Sequence, residues 1–255
     1  MAIDEAIFLE AGKGNLPPTF RIYGWLRPAV SLGRFQRAEA EIDVAYCRRE
    51  KIEIVSRPTG GKAVYHENDL TYALICGPNC DIFPESIPDA YAVISRALAE
   101  GLSRVGIPVT FGPRQKKEGG AVTSFCFSAC APAELAVGGR KILGSAQVRG
   151  RKNFLQHGSL LITCEVERIY QCFLPHRIPR EEELEKLKST IACVSEYVSD
   201  LTFIHERIGE AWKEAFSHFF DVSFEEGELT KKEAETAHLL LTMKYVPAQE
   251  RFLLP

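Results

Sequence analysis

The sequence has 255 residues, of which 45% are hydrophobic and 25% are charged, and its formal net charge at pH 7 is −3. A chain of this length can bury a sizeable hydrophobic core, and its slight acidity excludes a global basic field that would attract nucleic acid or anionic lipid. We find no apolar run of the ~18 residues that a membrane span needs, and the first residues, MAIDEAIF, carry acids where a secretion signal carries basic residues. We therefore expect a cytoplasmic protein with no nucleic-acid or membrane partner.

Eight cysteines are many for a cytoplasmic chain. Without a visible export signal, they do not indicate a disulfide framework. Two pairs have C-x3-C spacing, Cys76/Cys80 and Cys126/Cys130, but neither has a histidine at a matching short distance, and zinc sites more often use C-x2-C or C-x4-C. We expect most of the cysteines to be small buried side chains, and we expect neither a metal nor a cofactor.

The first half of the chain predicts two helices and a series of strands. A short amphipathic helix covers residues 1–11, and FRIYGW, AVSLGRFQ, KIEIVSRP and DLTYALIC are typical of strands. A longer helix is expected over 88–105, because Pro88 and Asp89 suit its first turn and Gly106 suits its end.

The second half continues with strands and ends in helices. IPVTFG predicts a strand, ELAVGGRKILGSAQVR a hairpin that turns at Gly138 and Gly139, and NFLQHGSLLIT a further strand. Short helical pieces over 165–200 precede helices over about 202–219 and 231–244, the last with a capping box of Thr230 and Glu233. Meander-like strands with grouped helices favour an α+β fold with a mostly antiparallel sheet flanked by helices. We expect a single domain over residues 1–255, since no Pro-, Gly- or Ser-rich linker interrupts it.

The segment SRPTGGKAVYH, residues 56–66, is the first candidate binding motif. Its Thr-Gly-Gly loop offers bare backbone N–H groups that can hold an anion or a carbonyl oxygen, and Arg57 can add a guanidinium donor. Alanine follows Lys62, so the segment is not a phosphate-binding P-loop. From the two glycines alone, an ordinary hairpin turn with a surface arginine is the stronger interpretation.

Residues 139–162, GRKILGSAQVRGRKNFLQHGSLLI, form the second candidate motif. Here we expect a tight turn at Gly144, Ser145 and Ala146 that lets a ligand approach the backbone close to Lys141. The segment also contains a local basic cluster, which is either a solvated loop or a docking site for an acidic protein. It contains three further polar residues, which are either polar groups of the core or hydrogen-bond donors in a pocket. The cluster is Arg149, Arg151 and Lys152, and the polar residues are Gln147, Gln156 and His157.

Cys126 is the candidate nucleophile, and Lys141 follows it by 15 residues. A thiol with a reference pKa of about 8.5 is only a few per cent thiolate at neutral pH, and a nearby ammonium would increase that fraction. The sequence shows no Ser/His/Asp order, HExxH or GxSxG pattern, so Cys126 with Lys141 is the best pair available. A buried structural cysteine is the alternative.

Two segments together resemble a known family. RPTGGKAVYHENDLTYALI, followed about 70 residues later by GRKILGSAQVRGRKNFLQHGSLLI, is similar to the lipoate/octanoate transferases and ligases, which have a biotin-ligase-like catalytic fold. MAIDEA and FRIYGWLRPAVSLGRFQ resemble the N-terminal segment of that family, so the similarity extends over about residues 1–165 and is looser beyond. CFSACAPAELAVGGRK resembles the Gram-positive-type octanoyltransferases, which carry a Cys-Phe pair 15 residues before the signature lysine.

The resemblance implies octanoyl transfer, without ATP, from octanoyl-acyl carrier protein to a lysine of a lipoyl domain or of the glycine-cleavage H protein. It makes Cys126 the thioester nucleophile and Lys141 its activator, and leaves Cys130 structural. His66 would orient the loop. Thr59, Gly60, Gly61 and the turn at Gly144–Ala146 would line an acyl tunnel and supply oxyanion donors. The full set of implied substrate-binding residues is Arg57, Thr59, Gly60, Gly61, His66, Gly144, Ser145, Ala146, His157 and Gly158.

Three alternatives stay open on the sequence. An ATP-dependent lipoate–protein ligase would use the same pocket to form an acyl-adenylate, and an amidotransferase would move octanoate between lipoyl domains with a cysteine. An acyl-binding module with a dead site is the non-enzymatic alternative, which the presence of Lys141 disfavours. We expect a monomer, because the sequence shows no exposed apolar heptad.

Overall fold

The computed structural model describes residues 1–14, 16–78, 80–112, 134–151, 153–173 and 180–246. Cys126 and Cys130, which carry the predicted nucleophile and its neighbour, lie outside the described residues, as does Lys152.

Nine strands and eight α-helices are present in the described ranges. The strands are β1 (Thr19–Tyr23), β2 (Ala29–Leu32), β3 (Glu53–Ser56), β4 (Val64–His66), β5 (Asp69–Cys76), β6 (Thr110–Phe111), β7 (Leu135–Val137), β8 (Arg140–Arg149) and β9 (Phe154–Leu161). The helices are α1 (Ala2–Ala11), α2 (Ala38–Glu41), α3 (Val44–Arg49), α4 (Ile87–Arg104), α5 (Val166–Phe173), α6 (Glu181–Lys188), α7 (Ile204–Phe220) and α8 (Lys231–Leu240), which continues into a π-helical turn (Leu241–Tyr245). A 3-10 turn covers Val194–Glu196.

The strands form two sheets. The larger has six strands in the order β1-β5-β9-β8-β7-β6, and all of its neighbouring pairs are antiparallel. The smaller has the order β3-β2-β4, in which β2 pairs in parallel with β3 and antiparallel with β4. The predicted α+β fold with a mostly antiparallel sheet flanked by helices is therefore confirmed.

One face of the large sheet is covered by α4 and α7, which pack against each other. The α4 helix begins where the sequence predicts, because the hydroxyl of Ser86 accepts a hydrogen bond from the backbone N–H of Asp89 and Pro88 occupies the first turn. Trp212 of α7 is fully buried and packs edge-on against Tyr72 of β5, so this face holds the main hydrophobic core.

The opposite face of the large sheet meets two other layers. Helix α1 packs there against Ala73, Ile75 and Leu155, and α8 packs on α1. The small sheet contacts the same face near the start of β5, where His66 of β4 hydrogen-bonds Asp69 and Thr59 hydrogen-bonds His157 of β9. These contacts leave a recess between the two sheets.

Most predicted elements are confirmed within a few residues. The hairpin turns at Gly138 and Gly139, whose φ angles of 56° and 78° explain why glycine is needed at both positions. Both members of the Thr230–Glu233 capping box form their reciprocal hydrogen bonds. None of the helices within the described ranges combines the length and apolar character needed to cross a bilayer.

The expected turn at residues 144–146 is wrong. Gly144, Ser145 and Ala146 lie in the middle of β8 and pair with Ser159, Gly158 and His157 of β9. Tertiary pairing with a strong neighbouring strand overrides the local preference of a Gly-Ser pair for a turn. The sequence prediction also missed β4, and it made the IPVTFG strand longer than the two residues that the structure shows.

Candidate active site

A recess of about 50 Å³ lies between the two sheets, a volume sufficient for several water-sized groups. It is lined by Met1, Ser31, Arg57, Gly61, Val64, His66, Thr71, Gly144, Ser145, Ala146, His157, Gly158 and Ser159. Eight of the predicted site residues are among them, so the two motifs that are far apart in sequence meet in one pocket.

Lys141 sits in the interior of the protein next to this pocket. Its side chain is 1% exposed, and Nζ lies 2.6 Å from Oε1 of Glu134, which is also buried. The backbone of Lys141 is fixed as well, since its N–H donates to the carbonyl of Thr190 and its carbonyl accepts from the N–H of Ala192. Glu134 was not predicted as a site residue from the sequence, and this acid is the partner that a buried ammonium requires.

A β-bulge places Lys141 on the same face of β8 as Gly144, which lines the pocket. Ala136 pairs with Lys141 but the adjacent Leu135 pairs with Leu143, so β8 carries one extra residue at this point. In a regular strand, residues 141 and 144 would point to opposite faces. With the bulge, a Cβ placed on Gly144 would lie 2.7 Å from Cε and 3.0 Å from Nζ of Lys141. Gly144 is therefore the position that leaves room for the lysine side chain.

Arg57 is buried, which corrects the interpretation of it as a surface residue. Its Nη2 donates to the carbonyls of Gly60 and Lys62, at 3.0 and 2.6 Å. Nη1 donates to the carbonyl and the hydroxyl of Ser31, and Nε donates to the hydroxyl of Thr59. All three guanidinium nitrogens thus hold the Thr-Gly-Gly loop against β2.

The loop is also tied to the large sheet. Oγ1 of Thr59 lies 2.6 Å from Nε2 of His157, and both side chains are buried. Burial, with the nearby charge of Arg57, lowers the pKa of His157 well below its usual value, so this imidazole is neutral. Nδ1 of His157 has no hydrogen-bond partner among the described residues, although the residue lines the pocket.

A second buried histidine belongs to a longer chain of hydrogen bonds. Nδ1 of His66 lies 2.8 Å from Oδ2 of Asp69, and Nε2 lies 2.8 Å from Oγ of Ser31. The same Oδ2 accepts hydrogen bonds from the hydroxyls of Thr71 and Ser159. A sequence signal for this group did exist, because Asp69 and Thr71 are polar residues on one face of the otherwise apolar strand DLTYALIC.

The polar residues of the opposite face form a separate network. The hydroxyl of Tyr72 hydrogen-bonds Oγ of Ser145 and Nε2 of Gln156, and Oε1 of Gln156 accepts from Gln147. Burial raises the pKa of Tyr72 to about 12, so it remains a neutral phenol. Of the two interpretations left open for the glutamines, the structure favours core polar groups, since both belong to this network on the Tyr72 face.

Part of the basic cluster is also engaged within the fold. Arg149 donates to the carbonyl of Pro84 and lies over the ring of Phe154, whereas Arg151 is exposed. An acidic partner would therefore meet the Arg151 side chain at the surface, whereas the guanidinium of Arg149 is held within the fold.

The fold and the site together define a class of protein: an α+β catalytic domain with a buried, acid-paired lysine beside a glycine-lined pocket. The lipoyl protein ligase A/B catalytic-domain family matches residues 1–217, and the chain belongs to this family. The resemblance stated from the two motifs is thereby confirmed.

Within this family, the chain is similar to octanoyltransferases. Proteins named Octanoyltransferase LipM from Kyrpidia tusciae and Carboxydothermus hydrogenoformans are 35% and 36% identical to this chain. Both alignments cover 96% of this chain, and they cover 91% and 90% of those proteins. An archaeal lipoylation system from Thermoplasma acidophilum, comprising a bipartite lipoate protein ligase and its E2 lipoyl domain, contains a chain with a TM-score of 0.73 and 25% identity, over 100% of this chain and 91% of that one.

Proposed function

We propose that the protein is an octanoyltransferase of lipoate biosynthesis. It takes the octanoyl group from octanoyl-acyl carrier protein and transfers it to a lysine of a lipoyl domain or of the glycine-cleavage H protein. Support for the activity comes from the relatives named Octanoyltransferase LipM, which align with almost the whole chain. Support for a lipoyl-domain acceptor comes from the archaeal ligase described with its E2 lipoyl domain.

The proposed chemistry has two steps. The Cys126 thiolate attacks the carbonyl of the donor thioester, an enzyme thioester forms as the donor C–S bond breaks, and the donor sulfur leaves as a thiolate that takes a proton from solvent. The acceptor amine then attacks that thioester, an amide forms, and the Cys126 sulfur leaves. Each step starts from a thioester, so the acyl group stays activated without ATP.

The observation that carries this proposal is the placement of Lys141. Its ammonium is buried beside the pocket, under Gly144, where it can stabilise a thiolate and hold an acyl carbonyl oxygen. Cys126 precedes Glu134 by eight residues, and the N–H of Gly112 donates to the carbonyl of Glu134. Both ends of the segment that contains Cys126 thus meet beside the Lys141–Glu134 pair, and eight extended residues reach at most ~28 Å from it.

The substrate-binding roles follow the pocket lining. We assign Gly61, Gly144, Ala146 and Gly158 to the walls that the acyl chain contacts, since each lines the recess. Arg57, which also lines the recess, holds the loop in shape together with Thr59 and Gly60, because their hydrogen bonds are made within the protein.

Intact-mass measurement tests the proposal. The protein is incubated with octanoyl-acyl carrier protein without ATP, and we expect a hydroxylamine-labile octanoyl adduct that is absent from Cys126→Ala. Cys130→Ala is the matched control and keeps the adduct. An adduct that survives in Cys126→Ala, or no adduct on the unchanged protein, contradicts the covalent mechanism.

The second candidate is an ATP-dependent lipoate–protein ligase, favoured by the likeness of the fold to a lipoate protein ligase. It predicts that the acceptor is modified only when ATP and the free acid are both supplied. An amidotransferase between lipoyl domains predicts transfer from an octanoylated H protein but none from octanoyl-acyl carrier protein. The same acceptor assay, run with the three donors in parallel, separates the candidates.

A further inference from the structure

We propose that Ser31, His66 and Asp69 form a proton relay that deprotonates the acceptor lysine in the second half-reaction. This inference rests on the proposed octanoyl transfer and adds a base to it. Ser31 and His66 are assigned as the catalytic members at the pocket, and Asp69 is a positioning residue behind them.

The geometry is that of a carboxylate–imidazole–hydroxyl chain. Oδ2 of Asp69 lies 2.8 Å from Nδ1 of His66, and Nε2 of His66 lies 2.8 Å from Oγ of Ser31. Since the carboxylate can only accept, Nδ1 carries the proton and Nε2 is the acceptor for the serine hydroxyl. Both lengths are within the normal range, and the three side chains are at least nine-tenths buried.

Neighbouring groups fix the chain in this arrangement. The ring of His66 stacks on Trp25, with 4.1 Å between the ring centroids. Trp25 in turn donates from its indole N–H to the hydroxyl of Thr71, which donates to Asp69. Nη1 of Arg57 donates to Oγ of Ser31, which leaves the serine proton directed to His66. A relay needs this kind of fixed orientation at each link.

Two members of the Ser31–His66–Asp69 relay, Ser31 and His66, border the proposed active site. Ser31 and His66 line the same recess as Gly144, and a Cβ on Gly144 would lie 3.0 Å from Nζ of Lys141. Ser159 pairs with Gly144 across β8 and β9, and its hydroxyl donates to Asp69. Strand β9 lies between β5, which carries Asp69, and β8, which carries Lys141. The two strands are therefore separated by about two strand spacings of ~4.8 Å each. Oδ1 of Asp69 has no hydrogen-bond partner within the described ranges, which leaves the carboxylate open to a further polar group.

The chemistry requires such a base. A free lysine has a reference pKa of about 10.4, so only about one acceptor in a thousand carries an uncharged amine near pH 7.4. Lys141 is already bound to Glu134 at 2.6 Å, and the proposed mechanism uses it as an ammonium that stabilises the cysteine sulfur. A second group must therefore remove the proton from the acceptor.

The proton transfers balance through the relay. The acceptor ammonium gives a proton to Oγ of Ser31 as the serine proton moves to Nε2 of His66, and Asp69 stabilises the imidazolium. The neutral amine attacks the thioester carbon, the C–S bond breaks, and the nitrogen proton lost on amide formation neutralises the Cys126 thiolate. His66 then returns its proton to solvent.

Single-turnover deacylation tests the relay. The octanoyl enzyme is formed with octanoyl-acyl carrier protein, freed of donor, and mixed with either a lipoyl domain or hydroxylamine. Hydroxylamine is uncharged at neutral pH and needs no deprotonation. For His66→Gln and Asp69→Asn we expect transfer to the lipoyl domain to slow by about 100-fold or more, the range of general base catalysis, with acylation and hydroxylamine release changed less than about 3-fold.

A further variant and a control distinguish loss of the relay from a folding defect. Ser31→Ala keeps the His66–Asp69 pair and is expected to show the same selective loss. His218→Gln, the same substitution at an exposed histidine of α7, is expected to change none of the rates. Equal slowing with both nucleophiles, or no slowing with the lipoyl domain, overturns the relay. Failure of the unchanged protein to form the octanoyl enzyme overturns the proposed function instead.

Discussion

At the scale of single residues, the site depends on one buried ion pair and the glycine beside it. Lys141 and Glu134 satisfy each other in an interior where either charge alone would be costly. Gly144 supplies the space, because a side chain there would overlap Cε and Nζ of the lysine. The role that we propose for Lys141 therefore depends on Glu134, which pairs with its ammonium, and on Gly144, which leaves room for its side chain.

Gly144→Ala tests this dependence. The added Cβ would lie 2.7 Å from Cε of Lys141 and push the ammonium away, and a displacement of about 1 Å at a catalytic group can cost about 100-fold in rate. We expect a loss of this size in octanoyl transfer, measured as kcat with a lipoyl-domain acceptor. Gly227→Ala is the matched control, since a Cβ there meets nothing within 4 Å. Full activity of Gly144→Ala would show that the lysine needs no such space.

His157 predicts a pH dependence of stability. Its pKa is lowered well below 6.5 in the fold by burial and by Arg57, whereas in the unfolded chain it ionises near its usual value. The unfolded state therefore binds more protons below about pH 6.5, so stability is present above that pH and is lost as the pH falls. His157→Gln keeps a hydrogen-bonding group beside Thr59 but does not titrate.

Urea denaturation at about pH 5 and about pH 7.5 measures this effect. Between the two, the unchanged protein should lose more free energy of unfolding than His157→Gln, by up to about 1.4 kcal/mol for each pH unit below 6.5. Equal losses in the two proteins would mean that His157 is not buried as a neutral group.

At the scale of elements, two irregular features of the strands position the proposed site residues. The β-bulge in β8 turns Lys141 to the face of Gly144, and the parallel–antiparallel small sheet brings Ser31 and His66 over the same face. The large helices α4 and α7 have a different role, since they cover the far face and seal the core. Their contact is so close that Gly101 of α4 lies directly against Trp212.

Two helical glycines give a paired test of this packing. A Cβ on Gly101 would lie 2.6 Å from Cδ1 of Trp212 and 3.0 Å from the carbonyl oxygen of Ala211, so Gly101→Ala should destabilise the fold by about 1–3 kcal/mol. A Cβ on Gly209 of α7 would make an ordinary contact at 3.5 Å with Ile22, so Gly209→Ala should gain about 0.5–1 kcal/mol from helix preference. Thermal unfolding followed by circular dichroism measures both, and changes of the same sign would contradict the packing.

At the scale of the whole molecule, we propose that residues 1–255 form one domain. The ends of the described chain meet, because Thr236 of α8 donates to Glu10 of α1, and Lys244 and Tyr245 donate to Glu5. The C-terminal helices also complete the core, with Trp212 and Phe216 packed among strands and α4. Contacts of this kind couple the two halves of the chain.

The two tryptophans report on this coupling. Trp25 stacks on His66, which lines the pocket, and Trp212 lies in the core, so Trp212→Phe and Trp25→Phe leave one reporter each. We expect the fluorescence midpoint in urea to coincide with the circular dichroism midpoint in each variant, as in two-state unfolding. Separate midpoints for Trp25 and circular dichroism would indicate two domains.

The sequence by itself determined the elements with strong local signals. The hairpin at Gly138 and Gly139, the capped helix α4, and the Thr230–Glu233 box all appear as predicted, because positive φ angles and helix caps depend on residues close in sequence. The family motifs likewise predicted that Lys141 and the loop around Gly61 belong to one site, and this assignment stays a prediction.

Only the tertiary structure decided what those residues contact. Gly144 to Ala146 form a strand, Arg57 is buried, and Glu134 pairs with Lys141, and each of these depends on partners from distant segments. The Ser31–His66–Asp69 chain is the clearest case, since it joins β2 to β4 and β5 across two sheets. Asp69 is a local signal as a polar residue in an apolar strand, but local preference cannot show that His66 and Ser31 join it, because their hydrogen bonds exist only after the sheets have packed.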